Sequence, residues 1–122
     1  SRGYGSRERG MGAPNQVFAN YRNAANKREL AFCIEKEEFR KIISLPCYYC
    51  GREPDNHSKF GKNGFVYGGI DRIDNSIGYT TGNCVPCCGV CNRAKDTMSQ
   101  NDFIEHCIGI VGNLQKVPDL PL

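Results

Sequence analysis

The chain has 122 residues and a net charge of +3, enough for one domain with short tails and too little for two ordinary domains. No run reaches the ~18 apolar residues of a membrane span and no signal-peptide pattern opens it, so the expectation is an intracellular protein without a membrane helix. The net charge is too small to argue from alone, but Arg2, Arg7 and Arg9, then Arg22, Lys27 and Arg28, and finally Arg93 and Lys95 cluster as phosphate-binding groups do.

In chain order, residues 1–12 are Gly- and Arg-rich with almost no apolar side chain, and read as a flexible basic arm. The chain begins at Ser1, as a fragment of a longer protein would. Pro14 to Leu30 reads as a helix: Pro14 suits the first turn, Val17, Tyr21, Ala24 and Ala25 fall near one face, and Lys27 and Arg28 close it with positive charge. After a short extended link, Glu35 to Ser44 reads as a second helix with Phe39, Ile42 and Ile43 as its apolar stripe. Leu45-Pro46 stops that helix at a Cys47-x-x-Cys50 knuckle. Arg52 to Gly64 is a long polar loop containing His57, and Phe65-Val66-Tyr67 leads toward a strand, Ile70-Asp71-Arg72-Ile73-Asp74. A polar loop punctuated by Gly78 and Gly82 follows, then a strand Cys84-Val85-Pro86-Cys87 and a helix Gly89 to Met98. Ser99 to Asp102 resembles a capping box for a last amphipathic helix bearing Phe103, Ile104, Cys107, Ile108 and Val111. The end of the chain, 114–122, is a tail, which leaves 13–113 as the domain proper.

The eight cysteines are not spaced as a disulfide framework. Cys47 and Cys50, with Cys88 and Cys91, form two C-x-x-C knuckles, and four thiolates make a closed tetrahedral site of the structural zinc type. Cys84-x-x-Cys87 has the same spacing. Cys88 and Cys91 are preferred because Gly89 gives the turn freedom and a helix N-terminus favours thiolates. Cys33 and Cys107 are expected to be small buried hydrophobes.

Strand, loop, strand, helix, with a carboxylate on the first strand and a carboxamide early in the helix, is a layout that can pinch one metal ion. Asp71 is the best ligand in it, since a hard carboxylate oxygen suits Mg²⁺ or Mn²⁺. The stretch Gly69-Ile70-Asp71-Arg72, with Cys47-Tyr48-Tyr49-Cys50-Gly51 before it and Cys88-Gly89-Val90-Cys91-Asn92-Arg93-Ala94-Lys95 after it, resembles the HNH nucleases of the ββα-metal class. The match is to the subgroup whose strand reads G-[IV]-D-R, as in phage-type HNH endonucleases and a rare-cutting type II restriction endonuclease, and it runs from about Asn20 to His106.

The resemblance implies an α+β chain: a small ββα-metal (HNH) fold with a four-cysteine structural zinc and flanking helices. It implies a metal-dependent endonuclease that hydrolyses DNA phosphodiester bonds, with Asp71, Arg72, Asn83 and Asn92 as its catalytic set. Asp71 and Asn92 would hold the catalytic Mg²⁺ or Mn²⁺, and Asn83 would brace the loop. Arg28, Arg93 and Lys95 would contact nucleic acid, double-stranded DNA being the expected partner, and a homodimer is left open. Arg72 stands where most of the family has a histidine base. Arginine cannot take a proton at neutral pH, though it binds phosphate oxygens bidentately. The base must then be His57, Tyr49, Tyr67 or a metal-bound water. The alternatives are a zinc-stabilised nucleic-acid-binding module without cleavage and a zinc-stapled protein-interaction domain. Asp71 argues against a pure binder, because a bare carboxylate repels the phosphates it would face.

Overall fold

The computed structural model describes residues 12–58 and 65–116. Its elements in order are α1 (Gly12–Lys27), α2 (Lys36–Ile43), β1 (Asn56–Ser58), β2 (Phe65–Tyr67), β3 (Gly69–Arg72), β4 (Cys84–Cys87), α3 (Gly89–Lys95) and α4 (Gln100–Leu114). Residues 1–11 and 117–122, which hold most of the expected arm and tail, lie outside the described residues.

α2 forms where its charges suit its dipole: Glu37 and Glu38 sit in the first turn, Arg40 and Lys41 in the last. Its stripe of Phe39, Ile42 and Ile43 is fully buried, as the i, i+3, i+4 spacing requires. Val17, Phe18 and Ala25 of α1 pack on that stripe together with Ile70 of β3 and Tyr79. Phe18 and Tyr21 both meet the Phe39 ring edge-on, at 5.2 and 5.3 Å between centroids. The helix pair thus forms the floor on which β3 lies.

β3 and β4 are antiparallel, with Ile70 opposite Pro86, Asp71 opposite Val85 and Arg72 opposite Cys84. The side chains alternate: Ile70 goes into the core, and Asp71 turns toward α3. α1 stops at Lys27, three residues short of the expected Leu30, where Glu29 turns to φ 57°. The chain then runs beside the loop after β3, Tyr79 donating to the Ala31 carbonyl at 2.8 Å and Cys33 to the Tyr79 carbonyl at 2.8 Å. Gly78 permits this approach, since a Cβ there would lie 2.7 Å from the Ala31 nitrogen. The bridge brings Arg28 and Leu30 to the mouth of the cleft described below.

Several further expectations are corrected. The polar loop before Phe65 contains a strand, β1, which pairs antiparallel with β2 and carries His57 opposite Val66. α3 ends at Lys95 and not at Met98, because Asp96 adopts φ 51° and turns the chain out of the helix. The last helix runs unbroken through Gly109 and Gly112, but only Phe103 is buried on it. Its other apolar residues project beyond the core, Ile108 being 65% exposed. Cys33 and Cys107 are likewise exposed, against the expectation of burial.

Candidate metal centre and cleft

The first zinc knuckle is a tight hairpin. Gly51 donates to the Cys47 carbonyl at 2.9 Å and Cys47 to the Arg52 carbonyl at 2.8 Å, with Gly51 at φ 78°, which favours glycine. Tyr48 N–H reaches the Pro86 carbonyl at 2.8 Å and hangs the knuckle on the edge of β4. The second knuckle is the start of α3: Cys88 is the N-cap, its sulfur accepting from the Cys91 N–H at 3.3 Å. The sulfurs of Cys47, Cys50, Cys88 and Cys91 all lie within 4.8 Å of one another.

The Cys50 and Cys88 sulfurs are 3.7 Å apart. A tetrahedron with Zn–S bonds of ~2.3 Å has edges of about 3.8 Å, so the four thiols fit a zinc ion. Burial acts to raise the Cys47 thiol, yet the N–H groups of Cys50, Cys88 and Tyr49 outweigh it and bring the thiol down to about 6. The Cys91 thiol is pushed up, first by burial and then by hydrogen bonds to the other thiols. Four thiols this close cannot all ionise without a cation between them.

Cys84 and Cys87 lie outside the cluster. Burial raises the Cys84 thiol to about 11, and Cys87 is likewise raised, its sulfur donating to the Cys88 carbonyl at 3.4 Å.

Behind the zinc knuckles, β3, the loop after it and α3 enclose a cleft of about 480 Å³. Asp71, Arg72, Asn92 and Arg28 all line it, so residues separated by up to 64 positions in sequence converge on one space. Asp71 is buried, and each oxygen has a partner: Tyr49 donates to Oδ2 at 2.6 Å and Lys95 Nζ to Oδ1 at 3.2 Å. Asn92 is exposed on α3. A carboxylate and a carboxamide facing one open space are the hard oxygen donors that suit Mg²⁺ or Mn²⁺, with room left for water and phosphate.

Arg72 lies over the Tyr79 ring at 5.5 Å, and its Nη1 donates to the carbonyls of Asn75 at 2.7 Å and Ile77 at 2.9 Å. No described residue accepts from its other nitrogens, so a fork edge remains for a phosphate.

Asn83 is buried under the loop. Its Oδ1 accepts from the Asp74 N–H at 2.9 Å, and its Nδ2 donates to the carbonyls of Asp74, Ile77 and Gly78 at 3.2, 3.3 and 2.9 Å. Asn83 therefore touches backbone only and braces the loop that carries the Arg72 acceptors. Asn83→Ala strands several of these groups and is expected to cost about 2–3 kcal/mol. Urea unfolding of zinc-saturated protein measures it, and a loss below about 0.5 kcal/mol would contradict the bracing role.

The remaining candidates are spread out. Lys95 is 0% exposed, so it is not placed to grip a phosphate from the surface; its ammonium is spent on Asp71 and on the Arg72 carbonyl at 3.3 Å. Arg93 is exposed on α3 but does not line the cleft. Of the three side chains considered as base, His57 lies on β1 and Tyr67 on β2 against Phe65, and neither lines the cleft. Tyr49 alone touches Asp71, and it does so as a donor. Burial first, and the hydrogen bond to Asp71 second, hold its hydroxyl well above the usual tyrosine range. In this arrangement Tyr49 keeps its proton at neutral pH.

Two cleft residues were missed from sequence. Asn75, whose Nδ2 donates to the Thr97 carbonyl at 2.7 Å, ties the loop to the turn after α3. Asp96, four residues after Asn92, adds a second carboxylate to the rim.

Among solved structures, the rare-cutting HNH restriction endonuclease PacI superposes with a TM-score of 0.60 at 23% identity, over 84% of this chain and 80% of that one. The chain has the fold of an HNH endonuclease. In that HNH fold, β3, β4 and α3 are the ββα unit, and the four-cysteine cluster ties the chain ahead of the unit to the first turn of α3. The chain is also 36% identical, over 93 residues and 76% of its length, to an uncharacterized protein of Acanthamoeba polyphaga mimivirus, of which it spans 16%. No family model matches the chain. Among the described residues, no helix is long and apolar enough to cross a membrane.

Proposed function

We propose that the protein is a zinc-stabilised, divalent-metal-dependent endonuclease that hydrolyses DNA phosphodiester bonds in the Asp71 cleft, as a member of the HNH nucleases of the G-[IV]-D-R type. The observation that carries this reading is the convergence of Asp71, Asn92, Arg72 and Arg28 on one open cleft within an HNH fold. A divalent cation held by Asp71 and Asn92 would supply Lewis-acid polarisation of the phosphate.

The chain's own residues do the rest. Arg72 and Arg28 give the cleft two guanidinium groups, which suit the oxygens of a phosphate and the extra charge of its transition state. The hydroxyl of Tyr49 and the ammonium of Lys95 fix both oxygens of Asp71, so the carboxylate does not reorganise as charge develops. Arg93, exposed beside the cleft on α3, is suited to a flanking phosphate. DNA is preferred as substrate because the similar restriction endonuclease acts on DNA.

Zinc-loaded protein is incubated with supercoiled plasmid and Mg²⁺ or Mn²⁺, beside a chelator control and Asn92→Ala. Asn92 is exposed and its side chain braces nothing among the described residues, so this variant keeps its fold. Nicking or linearisation is expected from the unaltered chain, and its loss by more than about 100-fold from the variant. Salt-sensitive DNA binding with no cutting of duplex or single strands would favour the binding-module reading.

A further inference from the structure

Asp71 and Lys95 are the buried charged residues among those described, at 4% and 0% exposure. Their side chains meet at 3.2 Å, 24 positions apart in sequence. A surface contact for DNA needs no such burial. A carboxylate with no cation beside it, however, could not be buried at the floor of the cleft without a large desolvation cost.

We propose that Lys95 is the resident counter-ion of Asp71: its ammonium holds the carboxylate in place before a divalent cation arrives, and then competes with that cation for the same negative charge. The inference rests on the reading of Asp71 as a metal ligand. Lys95 is thus a positioning residue that acts through Asp71. Its second bond, to the Arg72 carbonyl at 3.3 Å, fixes the ammonium against β3, so it cannot swing away to solvent. A dication at Asp71 must therefore sit within several ångströms of a fixed positive charge. Even screened as fully as in water, that repulsion weakens cation binding by at least about tenfold. The site is folded when empty, and its affinity for the cation is held down.

Lys95→Met keeps the length and removes the charge. In zinc-loaded full chain, Mn²⁺ binding is measured by calorimetry, and the melting temperature is read with and without Mn²⁺. The variant is expected to bind Mn²⁺ at least about tenfold more tightly than the unaltered chain, and Mn²⁺ is expected to raise its melting temperature by more. Equal or weaker binding, with an equal Mn²⁺-induced shift, overturns the role, and so does absence of Mn²⁺ binding by both proteins.

Should Lys95→Met not fold without Mn²⁺, the double variant Asp71→Asn with Lys95→Met is expected to melt above the single one, because no charge is left buried alone. An equal loss from removing Lys95 in the Asp71 and Asp71→Asn backgrounds overturns the pairing. None of these readouts uses cleavage. Tight Mn²⁺ binding by a protein that cuts nothing would sink the nuclease reading and leave this one standing.

Discussion

Cys88→Ser is expected to unfold the domain at room temperature. Cys88 contributes its sulfur to the four-thiol cluster and also caps α3, accepting the Cys91 N–H. A structural zinc bound by four thiolates contributes about 10–16 kcal/mol to folding in small domains. The whole stability of such a domain is about 5–15 kcal/mol. The described core is consistent with that dependence, its main cluster being nine buried residues, seven on α1, α2 and β3 with Ile34 and Tyr79 from the adjoining loops. The knuckles lie outside that cluster, where Cys47, Cys87 and Cys88 form a second, smaller one. Circular dichroism, with zinc content measured on the same sample, shows the loss directly. Cys107→Ser, at an exposed position on α4, should leave fold and zinc unchanged within about 0.5 kcal/mol. A Cys88→Ser protein that melts normally would mean that the cluster does not staple the fold.

Asp71→Ala is expected to abolish cleavage and, separately, to destabilise the protein by about 3–5 kcal/mol, the cost of leaving a buried ion without its partner. The second effect follows from geometry alone. With the carboxylate gone, Lys95 remains 0% exposed with the Arg72 carbonyl as its other acceptor among the described residues, and Tyr49 loses its 2.6 Å bond. Loss of cleavage by this variant therefore says little unless the folded fraction is known. Urea unfolding of zinc-saturated protein supplies that control. Asn92→Ala should lose cleavage with stability changed by less than about 0.5 kcal/mol, and the contrast separates chemistry from folding. An Asp71→Ala protein as stable as its parent would contradict the buried pair.

What could be read from the sequence is the local chemistry. The knuckles announce themselves by spacing, α2 by its stripe of Phe39, Ile42 and Ile43, and the start of α4 by Ser99, whose Oγ accepts the Asp102 N–H at 3.1 Å. The β3–β4 pairing follows from alternation and from the turn residues between the strands. What could not be read depends on distant partners. Lys95 looks like a surface lysine because lysine is almost never fully buried without a partner, and that partner lies 24 positions away. Asn56-His57-Ser58 has no strand-forming composition and becomes β1 only by pairing with β2. The apolar residues of α4 read as a packing face, yet the described core ends at Phe103. The Arg28 placement rests on the Phe32–Tyr79 bridge, which no short motif encodes.

The central claim is that Asp71 and Asn92 hold the working cation of the cleft. The most direct measurement is anomalous diffraction from crystals of zinc-loaded protein soaked in Mn²⁺, collected at the manganese and zinc edges. A manganese peak between the Asp71 carboxylate and the Asn92 carboxamide, with a separate zinc peak among Cys47, Cys50, Cys88 and Cys91, is the predicted result. Zinc among the cysteines with no manganese at Asp71 would contradict it, and would leave a zinc-stapled domain whose cleft does other work.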